Sequence, residues 1–526
     1  MAVVFDFDTK YLSKELKKLG LRRTWISILA THIQDIKSCQ YLLTDANFKD
    51  YVILEKNLIE NLSVGEIGIL YEYSVTYANP SSRKSNGQYF TPDDVSKFMV
   101  ESSKTFGLGK WLDPCSGIGN LSWHLANAQN DPEDFIKKSL ILSDKDSLAL
   151  LIARTLFTIS FQKHDKDFFH SIESNFVILD FLSVAEDSSL MLFEKTEGLN
   201  EIPEHDFVIV NPPYLAIKED TRFETAKSSD LYAYFLENII KTSKGFIAIV
   251  PQSYTNAGKF RMLRSILIQK YRNMTIFTFD NVPANIFKGF KFGSKNSNKA
   301  NSIRASIIIA KPGPGEHRIT QLIRWKSAER EILFTHLNKF PTPAFLSEDF
   351  FPKVGIPFEE LYGNVKVLPQ LNSIISQKRT KYILYVPSAP RYFIPALLKS
   401  VKRTSQKTLY FANEKDRDYA YLLLNSSFMY WWWRVRDGGM TLSLQTLMSL
   451  PLLTFRMNSK LVTELKESEL SSKVYKRNAG ALQENVKHPR KLIAKLNKVV
   501  IPEFADELIK LHGNSDVSIF LDRFNS

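Results

Sequence analysis

The chain has 526 residues, 44% of them hydrophobic, and a formal net charge of +13. That is apolar material for about two to four domains. So large a basic excess points to a polyanionic partner, nucleic acid first. Cys39 and Cys115 are the only cysteines, which excludes a disulfide framework and a cysteine-rich zinc site and suits a reducing cytoplasm. No basic stretch with an apolar core opens the sequence and no apolar run approaches a bilayer span, so neither signal peptide nor membrane anchor is expected.

Residues 1–80 predict helices. Lys10–Leu19, Arg23–Cys39 and Val52–Tyr73 carry apolar residues three and four apart. The segment reads as a packing module without evident chemistry. A polar linker, Asn79–Asn86, leads into Gly87-Gln-Tyr-Phe-Thr-Pro92. Pro92 followed by Asp93 and Asp94 predicts a helix start with Thr91 as its N-cap.

Lys110-Trp-Leu-Asp-Pro-Cys-Ser-Gly-Ile-Gly-Asn120 predicts a strand ending in Asp113, a turn, and a helix from Leu121. Gly117 and Gly119 let backbone approach a ligand closely. The third glycine of the dinucleotide fingerprint is missing. An acid at the strand end suits an ammonium better than a pyrophosphate, which points to the amino-acid end of S-adenosyl-L-methionine rather than to NAD. Ser139–Asp144 is a second strand ending in an acid. Asp144 stands where a carboxylate accepts two ribose hydroxyls. Asp146 is either a second candidate for that role or the cap of the next helix. A third strand, Asn175–Leu179, ends in Asp180-Phe181, an acceptor and an aromatic that suit an adenine amino group and ring.

The fourth strand runs into Asp206-Phe-Val-Ile-Val-Asn-Pro-Pro-Tyr214. Pro212 and Pro213 fix φ, remove two backbone donors and hold Asn211 near extended geometry. The turn presents the Asn211 amide oxygen, the Pro212 carbonyl and the Tyr214 ring. Two fixed acceptors can hold both hydrogens of an exocyclic amine. That favours a pyramidal nitrogen with its lone pair aimed at an electrophile, while Tyr214 stacks on the ring. Beyond it lie a helix led by Asp230, strands at Gly245–Pro251 and Met274–Phe279, a polar loop at Lys288–Asn301 and a strand at Ile303–Ala310. Phe287 and Phe290 either stack on a base or fold back on the core.

Taken in this order, Gly87–Pro92, Asp113–Gly119, Asp144, Asp180-Phe181, Asn211–Tyr214 and the Asp230-Leu-Tyr helix resemble the S-adenosylmethionine-dependent DNA adenine-N6 methyltransferases. The arrangement is similar to the gamma one, with cofactor motifs first, Asn-Pro-Pro-Tyr next and target recognition last. The resemblance covers roughly residues 65–311. It implies an α/β fold with a doubly wound, seven-stranded Rossmann-like sheet. Tyr89, Thr91, Pro92, Asp113, Gly117, Gly119, Asp144, Asp180 and Phe181 would surround the cofactor, S-adenosyl-L-methionine. Asn211, Pro212, Pro213 and Tyr214 would carry the chemistry on a flipped base. It further implies a bacterial or archaeal cytoplasm, duplex DNA as partner, and a restriction endonuclease or defence subunit as a separate protein. Ile118 and Leu121 depart from the small hydroxyl residue and Phe common in the family. Neither removes a proposed contact.

From about Glu316 the strand–helix alternation fades. Lys381–Val386 and Thr408–Ala412 predict strands of a mixed domain. Arg391, Lys399, Lys402, Arg403 and Lys407 form a basic segment, either contacting phosphates or making a solvated face. Arg391, Lys402 and Arg403 are the candidates for DNA contact. Tyr421–Arg434, with three consecutive tryptophans, predicts a buried helix. Lys473–Lys498 holds eight Lys or Arg and one Glu and predicts helices. The expected organisation is therefore a helical segment at 1–80, a catalytic domain at 81–315, an α+β target recognition domain at 316–470 and a basic helical segment at 471–526. Cytosine N4 methylation, protein glutamine methylation and a non-catalytic DNA-binding relict stay open as alternatives.

Overall fold

A computed structural model describes residues 7–79, 91–183, 201–287, 303–389, 393–403, 405–437, 441–478, 481–513 and 515–524. The chain divides into two compact units, residues 1–317 with 346–350, and residues 318–345 with 351–526.

The first unit is built on seven strands: β1 (Trp111–Asp113), β2 (Leu140–Asp144), β3 (Phe176–Ile178), β4 (Phe207–Val210), β5 (Gly245–Pro251), β6 (Asn273–Phe279) and β7 (Ala305–Lys311). Their spatial order is β3-β2-β1-β4-β5-β7-β6. The pairs from β3 to β5 are parallel, and β7 runs antiparallel to both neighbours. All four residues of β4 and the first six of β5 are buried, which is why these strands read as unbroken apolar runs. The chain runs outward from β1 to β3 and returns to β4 on the other side of β1. The strand order therefore reverses between β1 and β4, and in open α/β sheets ligands bind at the carboxyl edge of that point.

Helices α1 (Thr9–Leu19), α2 (Leu21–Ile33) and α3 (Val64–Ala78) precede the sheet. They are followed by α4 (Asp93–Ser103), α5 (Asn120–Asn127), α6 (Pro132–Ser139), α7 (Ser147–Phe161), α8 (Phe168–Ser171), α9 (Leu231–Thr242) and α10 (Arg261–Lys270). α7 packs on β2 and β3, while α4 and α9 pack on β5. Leu12, Trp25, Ile28 and Leu70 of the leading helices share one core with Leu148, Ile152 and Leu156 of α7. The helix expected from Val52 starts only at Val64. The Val52 and Leu54 amides donate instead to the hydroxyls of Ser27 and Thr31 on α2, at 3.1 and 2.9 Å. This tertiary pairing overrides the local apolar spacing.

In the second unit β8 (His317–Ile323) pairs with β9 (Thr342–Pro343), and β10 (Tyr382–Pro387) pairs with β11 (Gln406–Phe411), both antiparallel. The expected buried helix is two helices, Glu414–Asn425 and Ser427–Arg436, divided at Ser426. Trp431, Trp432 and Trp433 lie in the core of this unit. A buried ion pair, Arg434 to Asp516 at 2.8 Å, ties the tryptophan helix to the C-terminal helix Asp516–Phe524. Residues 471–526 are not wholly helical as expected. Strands β12 (Lys473–Asn478) and β13 (Ala481–Val486) form an antiparallel ladder before the helix Arg490–Val500. Val474 and Tyr475 are strand formers, a preference hidden beneath the count of basic residues. Among the described residues no helix is long and apolar enough to cross a membrane.

Candidate active site

The site is assembled where β1 and β4 end side by side. Trp111 and Leu112 pair with Phe207 and Val208, so Asp113 and Asn211 leave adjacent strands at the same edge. The prolines after Asn211 end the strand, and Asn211 hangs between two hydroxyls. Its amide nitrogen donates to Thr91 Oγ1 at 2.9 Å. Its amide oxygen accepts from Tyr214 Oη at 2.7 Å. Tyr214 Oη also lies 2.8 Å from the Ile249 carbonyl of β5. The Asn211 carbonyl in turn faces Cys115 Sγ at 3.4 Å. The turn is thus held by groups from β5 and the loops before α4 and α5.

Thr91 is not the helix cap expected from the sequence. Pro92 occupies the N-cap of α4 and gives it no side-chain bond. Thr91 is buried and spends its hydroxyl on Asn211. Its carbonyl accepts from Asn120 Nδ2 at 3.0 Å. Asn120 also donates to Ser96 Oγ at 3.0 Å, linking the starts of α4 and α5.

Asp113 is 2% exposed. Ser122 Oγ donates to its Oδ2 at 3.0 Å, and its buried Oδ1 has no hydrogen-bond partner within bonding distance among the described residues. Burial pushes its carboxyl up to about 7, helped by the neighbouring Asp144 and opposed by the Ser122 bond. Asp144 accepts from the Gly117 amide at 2.8 Å and from the Asp146 amide at 2.9 Å. Burial raises its pKa as well. Asp146 caps α7 through the Leu148 and Ala149 amides and takes a 2.6 Å bond from Tyr71 Oη, so it is the helix cap among its two readings. Gly117 and Gly119 have φ of +54° and +84°. A Cβ on Gly119 would lie 2.9 Å from Leu142 Cδ2, while one on Gly117 would meet open space.

These residues fit the cofactor's chemistry. A buried carboxylate oxygen without a donor calls for an ammonium. Asp144 keeps spare lone pairs for hydroxyls, since each carboxylate oxygen can accept twice. Asp180 is exposed at the end of β3, and its Oδ1 accepts from the Leu182 amide at 3.1 Å. Phe181 is buried, its ring stacked on Phe235 at 5.5 Å between centroids. The open aromatic face expected there is therefore packed into the core. Phe287 is also buried, 6.0 Å from the Tyr214 ring, and Tyr232 meets that ring from 6.4 Å. Phe287 folds back on the core and buttresses Tyr214. Asp230, at the start of α9, is lifted to about 6 by burial, against the pull of Lys259 at 3.7 Å.

Tyr89, Phe290 and Arg391 lie outside the described residues. In the second unit Lys402 is exposed, and its backbone pairs with Glu484. Arg403 is half-buried, and one of its guanidinium nitrogens donates to Asn485 Oδ1 at 3.2 Å. The contributions of Ser122 and Asn120 were missed in the sequence. Ser122 and Asp113 are nine residues apart and meet only because the glycine turn folds back, which no spacing rule reports.

The strand order with one antiparallel strand, and acids at the ends of β1 and β2, make a Rossmann-like sheet whose site fits S-adenosyl-L-methionine, the cofactor expected from the motifs. More particularly, residues 138–287 match the model of the Eco57I restriction-modification methylase family. No curated protein matches the chain. Among solved structures it is similar to the DrdV–DNA complex at 15% identity and a TM-score of 0.45, covering 72% of this chain and 44% of that one. It is similar to the type IIG restriction endonuclease BpuSI at 12% identity and a TM-score of 0.41, covering 96% and 80%. It is also similar to a type I restriction-modification methyltransferase subunit from Streptococcus thermophilus, at 16% identity and a TM-score of 0.33, covering 64% and 74%. The chain thus spans less than half of the DrdV chain it matches.

Proposed function

We propose that this chain is a sequence-specific DNA methyltransferase acting on the exocyclic N6 of adenine in duplex DNA, as the modification enzyme of a restriction-modification or phage-defence system. The observation that carries this reading is the Asn211 amide. It is fixed from both ends, by Thr91 and by Tyr214, beside a buried Asp113 oxygen that has no donor among the described residues.

The amino lone pair of adenine is delocalised into the ring, so the base needs orientation and polarisation rather than a covalent nucleophile. Asn211 Oδ1 and the Pro212 carbonyl accept its two N–H groups. Because Thr91 anchors the amide nitrogen, Oδ1 faces the base without an entropic cost at the moment of reaction. S-adenosyl-L-methionine, when bound, supplies an electrophilic methyl group. Asp113 would hold the ammonium at the cofactor's amino-acid end, and Asp144 the ribose hydroxyls. Flipping a base costs a few kcal/mol, offset by stacking on Tyr214, worth about 1–3 kcal/mol per base in comparable aromatic sites. The second unit supplies target recognition through base edges.

The match of residues 138–287 to a restriction-modification methylase family supports DNA as the substrate. Asn rather than Ser at position 211 favours adenine over cytosine. The test is transfer of tritiated methyl groups from S-adenosyl-L-methionine to genomic DNA, followed by nucleoside analysis. Label in N6-methyladenine is expected. Label in N4-methylcytosine, or in protein glutamine alone, contradicts the assignment.

A further inference from the structure

The leading helices hold a feature that the active site does not use. α1 and α3 enclose a groove of about 610 Å³. One wall is α1, with Lys10, Lys14, Lys17 and Lys18; the other is α3, with Tyr73 and Tyr77. Lys10, Lys14 and Lys17 follow each other at spacings of four and three, which sets them on one helix face. All four lysines are exposed. None forms an ion pair among the described residues, whereas Lys56, nearby in the same helical segment, pairs with Asp8 at 2.6 Å. Tyr73 and Tyr77 are stacked, with centroids 6.1 Å apart and planes 27° apart. Tyr73 is fixed by a 2.8 Å bond to Ser13 Oγ on the lysine wall. A solvated helix face explains the lysines alone. It does not explain a concave surface with a stacked pair of aromatic rings opposite them.

We propose that the groove between α1 and α3 is a second DNA site, in which the lysines grip the phosphate backbone and the tyrosine pair packs on sugar or base. The proposal rests on the reading of the chain as a DNA-modifying enzyme. It assigns DNA affinity to a segment whose sequence reads as packing only. At about 1.5 Å of rise per residue, Lys10 to Lys17 covers about 10 Å of helix. That length faces about three phosphates of one strand at about 3.4 Å each. The rings add contacts that tolerate any sequence, since every base has a π-face. The groove therefore contributes affinity and salt dependence without sequence preference.

The test is the anisotropy of a fluorescent duplex titrated with the full chain between 50 and 200 mM salt. Three proteins are compared: wild type, Lys10→Ala/Lys14→Ala/Lys17→Ala, and a charge-matched control, Lys37→Ala/Lys49→Ala/Lys166→Ala, whose lysines are exposed and outside the groove. Alanine is the best helix former, so α1 persists in the groove variant. Each neutralised phosphate contact lowers the slope of log K against log salt by about 0.9, so the groove variant should lose about two to three units of slope. The control should keep the wild-type slope. Tyr73→Leu/Tyr77→Leu should weaken binding about tenfold at constant slope. An unchanged slope in the groove variant, or equal losses in groove variant and control, overturns the proposal. If wild type binds and methylates DNA in that case, the proposed function stands and only the groove fails. If wild type neither binds nor methylates DNA, the functional reading itself fails.

Discussion

Tyr214 Oη lies 2.7 Å from Asn211 Oδ1, so the aromatic side chain of the turn also holds the amide on which the proposed chemistry depends. The proposed mechanism therefore gives Tyr214 two separable roles. Tyr214→Phe keeps the ring and removes the hydroxyl bond, worth about 0.5–1.5 kcal/mol. It should lower kcat roughly threefold to tenfold with little change in KM for DNA. Tyr214→Ala removes the stacking surface as well and should raise KM for DNA by tenfold or more. Steady-state methyl transfer at varied DNA concentration separates the two.

Thr91 is the other anchor. Thr91→Val preserves shape and removes the acceptor for Asn211 Nδ2. An unsatisfied amide costs about 1–3 kcal/mol, and the freed side chain can turn. Activity should fall about tenfold or more, while Thr91→Ser retains most of it. If Thr91 only began a helix, valine would leave kcat unchanged.

If Asp113 holds the cofactor's ammonium as proposed, cofactor binding should depend on pH. An ordinary aspartate titrates near 4, and here burial lifts the carboxyl to about 7. Between those values the unfolded chain has released a proton that the folded chain keeps. Stability of the ligand-free protein therefore falls as pH rises from about 4 to about 7, then levels off. An ammonium requires the ionised form, so cofactor affinity should rise across the same window. Calorimetric titration at pH 5.5 and pH 8 checks this. Asp113→Asn should weaken binding and flatten its pH dependence.

The two glycines of the turn should differ. Gly119→Ala places a Cβ 2.9 Å from Leu142 Cδ2 and 3.0 Å from Phe157 Cε2, at a φ of +84°. Left-handed strain of about 1–2 kcal/mol adds to overpacking of about 1–3 kcal/mol. Gly117→Ala meets no atom within 4 Å and carries only the strain. Thermal melts should place the Gly119 variant clearly below the Gly117 variant.

The sheet was legible in the sequence because its central strands β4 and β5 are buried on both faces. The runs 207–210 and 245–250 show no alternation to misread, and Asn211 to Tyr214 stands out by its prolines. Acids at the ends of β1 and β2 were legible for the same reason, since each closes an apolar run. What escaped depends on contacts far along the chain. Thr91 looks like a cap until Asn211, 120 residues later, claims its hydroxyl. Phe181 looks available until Phe235 stacks on it. The extended path at Val52–Leu54 exists because α2 offers Ser27 and Thr31. No local pattern announces the bond from Arg403 to Asn485 of the hairpin.

In the proposed mechanism the Asn211 amide orients the target amine and takes no part in holding the cofactor. The most direct measurement compares wild type and Asn211→Ala in one preparation, for S-adenosyl-L-methionine affinity by calorimetry and for methyl transfer to duplex DNA by nucleoside analysis. The predicted result is an unchanged cofactor affinity and a loss of N6-methyladenine of at least about 10²- to 10³-fold, the scale seen when a preorganised polar group is removed from an active site. Transfer at the wild-type rate by Asn211→Ala would contradict the account.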